Sequence, residues 1–507
     1  MLKQSLLLTS SISFITGAVI LGYELAVSRL VAPYFGNSVY TWGILLSIVM
    51  ASLSLGYMIG GKIADKTKKL QPALAMIAFY SGILLLLSYY SGNWLLEQSL
   101  VLLSIKSSGW GYITVLSAAM LASFAPAMIL LGLISPILLK LSITQVGVVG
   151  NRAGTLSMMG SIGGIIGALG TSFGLIPSLG VHRSILFFSI VMSASALLLT
   201  VKKNFKIVII SSLIIFCMIG VVSFLGQSRL ADLIQFESLY NHITLFFKNN
   251  VTYMSTGSAR AVQSQSLSSS GVMGSYLDYF ALSPLLTNQE KPQSVLLIGV
   301  AGGTVIKQLN LFFPNQLKID AVEIDPKMVE LAKQYFELTD DEANLVVAEG
   351  RQYLTSTNKR YDVILIDAFS TDVFAPSHLM TSEFFLAAKE KLNPGGVLLY
   401  NVISPETSES GSTLYSAISQ TILQQFQFVS GISFQQDSEA LGNHVLIASN
   451  TALPQDLDTS SLPNEVVRAR AKEFSQGIKP VSINSPATIL TDDKNPVEYL
   501  YWQMIGK

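Results

Sequence analysis

Up to about residue 226 the chain is a series of apolar runs with sparse, clustered charges. Beyond it, short apolar runs alternate with the polar and charged stretches of a soluble domain. A helix that spans a bilayer needs about 20 mostly apolar residues. Seven stretches meet that requirement, near 8–30, 40–61, 72–91, 112–139, 153–176, 183–201 and 205–226. The fourth carries Pro126 and Pro136, which predict a kink or tilt. Residues 93–107 are apolar but hold Glu97 and Lys106, a pattern that predicts an interfacial helix rather than an eighth span.

Residues 227–236 read as a connector. From 237 to about 267 the period changes to two: HITLFF, a KNN turn, VTYMST, then ARAVQSQ. This predicts a small antiparallel sheet. A helix over 276–288 carries Tyr276 and Tyr279, completing a small β-subdomain and helix over 237–290. Over 291–507 strands and helices alternate. The predicted fold is therefore a multi-span α-helical membrane bundle over 1–226, followed by an α/β doubly wound, Rossmann-like domain with a small N-terminal β-subdomain.

The chain has 507 residues, 50% of them hydrophobic and 13% charged, and a formal net charge of zero. Length predicts at least two domains. Zero net charge gives no electrostatic case for nucleic acid. The single cysteine, Cys217, lies in an apolar run, which excludes a disulfide within the chain and a cysteine-based zinc site. None of His182, His242, His378 and His444 sits at a ligand spacing, so no metal site is expected.

Ionisable residues within spans are costly and are normally paired or face a polar cavity. Glu24 and Arg29, in or at the end of the first span, are the candidates. Asp65, after the second span, reads as a helix-end contact. Gly160, Gly163, Gly164, Gly167, Gly170 and Gly174 repeat through the fifth span and predict close helix packing. Lysine and arginine cluster after spans two, four and six (Lys62, Lys66, Lys68, Lys69; Lys140, Arg152; Lys202, Lys203, Lys206). This bias puts the N-terminus inside and, with seven spans, the soluble half on the extracytoplasmic side. A nucleoside substrate made in the cytoplasm argues for the other side.

The soluble half carries the chemistry. SVLLIGVAGGT reads as a buried strand followed by a turn through Gly299, Gly302 and Gly303. Such a turn lets a ligand approach the backbone and exposes the N–H groups of a helix start. Glu323 ends the next strand, roughly 20 residues on, where a carboxylate can accept both ribose hydroxyls. Glu349 ends the third strand, at the place for a nucleoside base, and Asp367 ends the fourth, YDVILID. Ligands of open α/β sheets sit beyond these strand ends. Each residue alone also suits a turn or a helix cap.

With those motifs in place, the soluble half resembles the spermidine synthase family, whose core is shared with S-adenosylmethionine methyltransferases. ESLYNHI, IGVAGGT, VEIDP, YDVILIDAF, APSHLMTSEFF and LNPGGVLL carry the resemblance. GYELAVSRLVAPYFGNSVYTW, LGYMIGGKIAD and TILTDDKNPVEYL resemble the bacterial proteins in which such a domain is fused to membrane spans. The resemblance implies an aminopropyl group moved from decarboxylated S-adenosylmethionine to an amine, in a multi-pass protein of the bacterial cytoplasmic membrane. It implies Asp367 as base and Tyr276 as gate. Gly299, Gly302, Gly303, Glu323 and Glu349 would hold the donor. Asp372, Tyr240, Asp492 and Asp493 would hold the acceptor. The family's glycine loop carries an aspartate; here GVAGG is one residue shorter and lacks it. Ser370 fills the second acidic position of the catalytic loop, and Phe434 lies near the place of a later tyrosine. Three other readings share these residues: a methyltransferase using S-adenosylmethionine, a transporter or sensor that binds without turnover, and a transferase acting on an envelope substrate. Partners reduce to a small amine or envelope molecule and the lipid bilayer. Nothing in the sequence sets the oligomeric state.

Overall fold

The computed structural model describes residues 6–35, 39–103, 109–143, 146–199, 233–256, 262–268, 270–289, 293–369, 375–405, 413–434, 442–481 and 487–505. They form two compact units, one drawn chiefly from Met1–Ala231 and the other from Tyr240–Ile505.

The first unit is helical: α1 Leu6–Phe35, α2 Val39–Lys66, α3 Leu70–Leu103, α4 Gly109–Ser142, α5 Val149–Gly170 and α6 Ile176–Leu199. Five helical stretches among the described residues are long and apolar enough to cross a membrane, compatible with a multi-pass membrane protein. The last, Val149–Leu199, runs for 51 residues and contains the fifth and sixth expected spans. A π-turn at Thr171–Leu175 and a break at Gly180 (φ 77°) divide it. The expected span at 205–226 lies outside the described residues. One expectation is corrected. Residues 93–103 extend α3 instead of forming a separate interfacial helix, with no proline in the run to interrupt it. α4 holds both Pro126 and Pro136 within one helix.

The glycines of α5 pack as their spacing predicts, over part of its length. A Cβ on Gly163 would strike the Phe14 carbonyl, and one on Gly167 the Ala18 carbonyl. Gly17 of α1 is held as closely by Gly160. Without side chains in the seam the two backbones come into van der Waals contact, which is what drives helix association in lipid. Gly170 and Gly174 meet nothing within 4 Å and stand outside the seam. Asp65 accepts from Lys140 Nζ at 3.1 Å, an exposed pair joining the ends of α2 and α4. Glu24 is buried in α1 at 7% exposure, and Arg29, further along that helix, donates from Nη2 to the Leu239 carbonyl at 2.6 Å.

The second unit begins with a four-stranded sheet in the order β1-β2-β3-β4: β1 Leu233–Glu237, β2 His242–Lys248, β3 Val251–Thr256 and β4 Val262–Gln265. Residues 233–236, expected in the connector, are thus part of β1. The two-residue hairpin of Asn249 and Asn250, both at positive φ, sets the β2–β3 register. A short helix, α7 Leu277–Leu282, follows. The main sheet has eight strands in the order β12-β10-β11-β9-β8-β5-β6-β7. β5 Ser294–Ile298, β6 Lys318–Glu323, β7 Asn344–Val347, β8 Tyr361–Ile366 and β9 Leu392–Ser404 run parallel. β10 Phe428–Ser433, β11 Gly442–Ser449 and β12 Lys479–Pro480 add an antiparallel edge. The helices are α8 Thr304–Phe312, α9 Pro326–Tyr335, α10 Gly350–Ser356, α11 Ser382–Glu390, α12 Leu414–Leu423, α13 Glu465–Gly477 and α14 Val497–Ile505.

Strand period two explains why the central strands are apolar throughout. Val295, Leu297, Val363, Leu365, Val397 and Leu399 enter the core on one face. Leu296, Ile298, Ile364, Ile366, Leu398 and Tyr400 enter the core on the other. Both faces are covered by helices, so no polar alternation survives.

The α1–α5 seam yields a test. Gly163→Leu is expected to destabilise the helical unit by about 1–3 kcal/mol through overpacking, and Gly174→Leu to leave it near wild type. Thermal denaturation in detergent, followed by circular dichroism, measures both.

Candidate active site

Strand order reverses between β5 and β8, since β6 and β7 lie to one side of β5 and β8 and β9 to the other. The crevice at such a reversal is where open α/β sheets bind ligands. Gly299 and Asp367 flank it. Asp367 N donates to the Ile298 carbonyl at 2.9 Å, and Gly299 N to Val322 O at 2.9 Å. Gly299 has φ +92°, and a Cβ there would collide with the Asp367 carbonyl. Its glycine identity is therefore required by backbone conformation and by this close approach. The turn continues through Ala301 at φ +48°, an uncommon conformation for a side-chain-bearing residue, and Gly303 at φ +81°. Gly302 and Gly303 pack within 2.9 Å of Phe336 and Leu338 respectively when a Cβ is placed on them. Protein neighbours thus account for both without a ligand.

Glu323 is buried at the end of β6. Its Oε2 accepts from Val300 N at 3.0 Å and its Oε1 from Asp325 N at 3.0 Å. The carboxylate therefore holds the glycine turn against β6, with the Ala301 N–H a further donor to it and acceptor capacity left over. Burial pushes its carboxyl above the usual range against those backbone donors. Asp325 caps α9 by accepting from Lys327 N at 3.0 Å, with Pro326 at the first helical position.

Asp367 is half-buried at the end of β8. Tyr276 Oη donates to its Oδ2 at 3.1 Å and approaches Oδ1 at 3.4 Å, while Asn401 Nδ2 donates to Oδ1 at 2.8 Å. Burial raises the Asp367 carboxyl to about 6, against the lowering effect of those two donors. Burial first, and then the charge of Asp367, push the Tyr276 phenol well above 10. The two sequence-predicted catalytic residues thus meet. Asn401 was missed, although a polar residue ending the apolar run VLLYN was the signal for it. Its Oδ1 is buried and has no hydrogen-bond partner among the described residues.

Glu349, expected at a nucleoside base, is also engaged by its own helix. It is the N-cap of α10, accepting from Arg351 N at 3.0 Å and Gln352 N at 2.7 Å, and His378 Nε2 lies 2.9 Å from its Oε1. Burial pushes its carboxyl up, but these hydrogen bonds outweigh it and hold the group below the usual range. Asp492 is also corrected: it forms a two-point pair with Arg351, at 2.7 and 2.6 Å, instead of offering a free carboxylate to an amine. Asp493 is exposed in the same loop, and Tyr240 is 42% exposed in the segment joining β1 to β2. Ser370 and Asp372 lie outside the described residues. No cluster of three or more metal-ligating side chains occurs among the described residues.

Residues 274–430 match the family described as Spermine/spermidine synthase domain. A probable polyamine aminopropyl transferase of Bifidobacterium longum is 29% identical over 313 residues, covering 56% of this chain and 68% of that protein. A polyamine aminopropyltransferase of Vibrio vulnificus is 28% identical over 299 residues, covering 54% of this chain and 93% of its own length. Among solved structures, a probable spermidine synthase from Corynebacterium glutamicum aligns with a TM-score of 0.41 at 16% identity, over 51% of this chain and 96% of that one. Residues 274–430, on an α/β sheet whose strand reversal brings Asp367 and Tyr276 together, thus carry a spermidine synthase domain in the C-terminal half of this chain.

Proposed function

We propose that the domain transfers an aminopropyl group from decarboxylated S-adenosylmethionine to a small amine, with Asp367 as base. The observation that carries this reading is the half-buried Asp367 carboxylate, held by Tyr276 and Asn401 beside the glycine turn at the strand reversal.

The amine lone pair attacks the carbon next to the donor's sulfonium. A C–N bond forms, the C–S bond breaks, and the sulfur leaves as a neutral thioether carrying the former bonding pair. The leaving group needs no acid, so the protein's work is to align the partners and take up the proton lost from nitrogen. Asp367 receives that proton. Raised towards neutrality, it is a better base than an ordinary aspartate and remains ionised at pH 7. Tyr276 donates to the ionised carboxylate and keeps it facing the cleft. Asn401 Oδ1, unpartnered beside Asp367, supplies an acceptor for the second N–H of the amine. The spare lone pairs of Glu323 suit the ribose hydroxyls. Glu349, engaged by its own helix, contributes the rim of the base pocket.

Lysine bias and donor supply disagree about the side of the membrane. A phosphatase fused after residue 507 and active only outside the cytoplasm would favour an envelope substrate over simple polyamine synthesis.

Three measurements test the site. Asp367→Asn is expected to lower kcat about 10²- to 10⁴-fold, the range for a lost general base, and unchanged turnover would refute the assignment. In the wild-type enzyme kcat should fall as pH drops through about 6, because protonation removes the base, and reach its plateau only about one pH unit above that midpoint. Isothermal titration should show binding of decarboxylated S-adenosylmethionine, weakened about 10- to 100-fold in Glu323→Gln through lost charge-assisted hydrogen bonds. Binding of S-adenosylmethionine alone would replace aminopropyl with methyl transfer.

A further inference from the structure

The turn that delivers Tyr276 is anchored by a charged network with no direct part in the proposed reaction. Asp278, in the first turn of α7, is fully buried and accepts four hydrogen bonds. Two come from the backbone just before Tyr276: Met273 N at 2.8 Å and Gly274 N at 2.9 Å. The others come from Gln308 Nε2 on α8 at 2.8 Å and Arg470 Nε on α13 at 3.0 Å. Gly271 and Gly274, both at positive φ, allow the chain to fold back around the carboxylate.

Arg470 grips the same turn at further points. Its Nη2 donates to the Ser275 carbonyl at 3.1 Å and its Nη1 to Glu473 at 2.8 Å. Its guanidinium lies over the Tyr279 ring, 4.5 Å from the centroid, and 5.7 Å from that of Phe434. Phe434 in turn sits edge-on to Tyr276, with ring centroids 6.4 Å apart. Guanidinium geometry suits this combination of in-plane hydrogen bonds and stacking in a way that an ammonium does not.

We infer that the Arg470–Asp278 pair is a positioning device that sets the Tyr276 hydroxyl over Asp367, so that a helix 192 residues away in sequence governs the proton affinity of the proposed base. The inference rests on the proposed role of Asp367 only for its consequence in turnover. The hydroxyl–carboxylate contact and its link to Arg470 stand independently.

The groups facing the two ends are few among the described residues. Tyr276 from α7, with Asn401 and Tyr400 from β9, face Asp367. Asp278 and Tyr279 from α7, and Glu473 from its own helix, face Arg470. Because the Tyr276 hydroxyl donates to the carboxylate, losing that contact favours the protonated acid. The Asp367 midpoint must then rise.

Infrared titration of the full-length protein in detergent reads this without substrate, using the protonated-carboxyl band that disappears in Asp367→Asn. The wild-type midpoint is expected near 6. Tyr276→Phe should move it up by about one pH unit, the worth of a hydrogen bond to a charged group. Arg470→Lys should move it in the same direction, and the double variant no further than Tyr276→Phe alone. A wild-type midpoint in Arg470→Lys, or shifts that add in the double variant, would overturn the inference. Should Arg470→Lys not fold, Gln308→Met removes a neutral clamp from the same carboxylate. It must likewise raise the midpoint, and its failure to do so counts equally against the idea. Absence of donor turnover in the wild type would refute the proposed reaction and leave this titration unaffected.

Discussion

Close approach of two backbones at Gly299 and Asp367 is the constraint on which the catalytic half depends. The glycine adopts φ +92° with the Asp367 carbonyl where a side chain would be. That contact joins the turn after β5 to the end of β8 and forms the floor of the crevice at the strand reversal. Glu323 then secures the turn from β6 through Val300 and Asp325. A carboxylate placed on that floor loses hydration without meeting a cation among the described residues. Its proton affinity rises, and the two neutral donors Tyr276 and Asn401 offset only part of the rise. The chemistry of the site is therefore set by sheet topology first and by side chains second.

A second theme is that charges near the site are used mainly in holding parts together. Glu349 caps α10, Asp492 pairs with Arg351, and Asp278 gathers four donors. Asp278 shows why such a group needs a cation: a buried carboxylate is costly unless it is both hydrogen-bonded and compensated in charge. Arg470, only 15% exposed, compensates it. In the helical unit small residues do the corresponding work. Gly163 and Gly167 let α5 lie on the backbone of α1.

Much of this was legible along the chain. Apolar runs of spanning length foretold the long helices, and continuous apolar strands foretold a sheet covered on both faces. The run of glycines followed by Glu323 and Asp367 foretold which residues meet at the strand reversal, because residues at strand ends are placed together by any doubly wound sheet. Carboxylates in loops were less legible than those ending strands. Glu349 and Asp492 are polar residues near a site, and a sequence does not show whether the nearest donor is a ligand, an arginine 141 residues away, or the helix they themselves begin. The segment 93–103 was misread because Glu97 suggested an interface, whereas α3 runs as one helix from Leu70 to Leu103.

Sequence alone determined the two-part architecture, the strand–turn–helix order and the placing of Asp367 at a strand end, since these follow from local periodicity and from which residues end each strand. Only the tertiary structure decided that Asn401 and Tyr276 share Asp367 and that Arg470 secures the turn bearing Tyr276. Those partnerships link residues 34, 91 and, for Arg470 and Asp278, 192 positions apart. Hydrogen-bond partners are selected by distance and direction in space, and no local pattern encodes them.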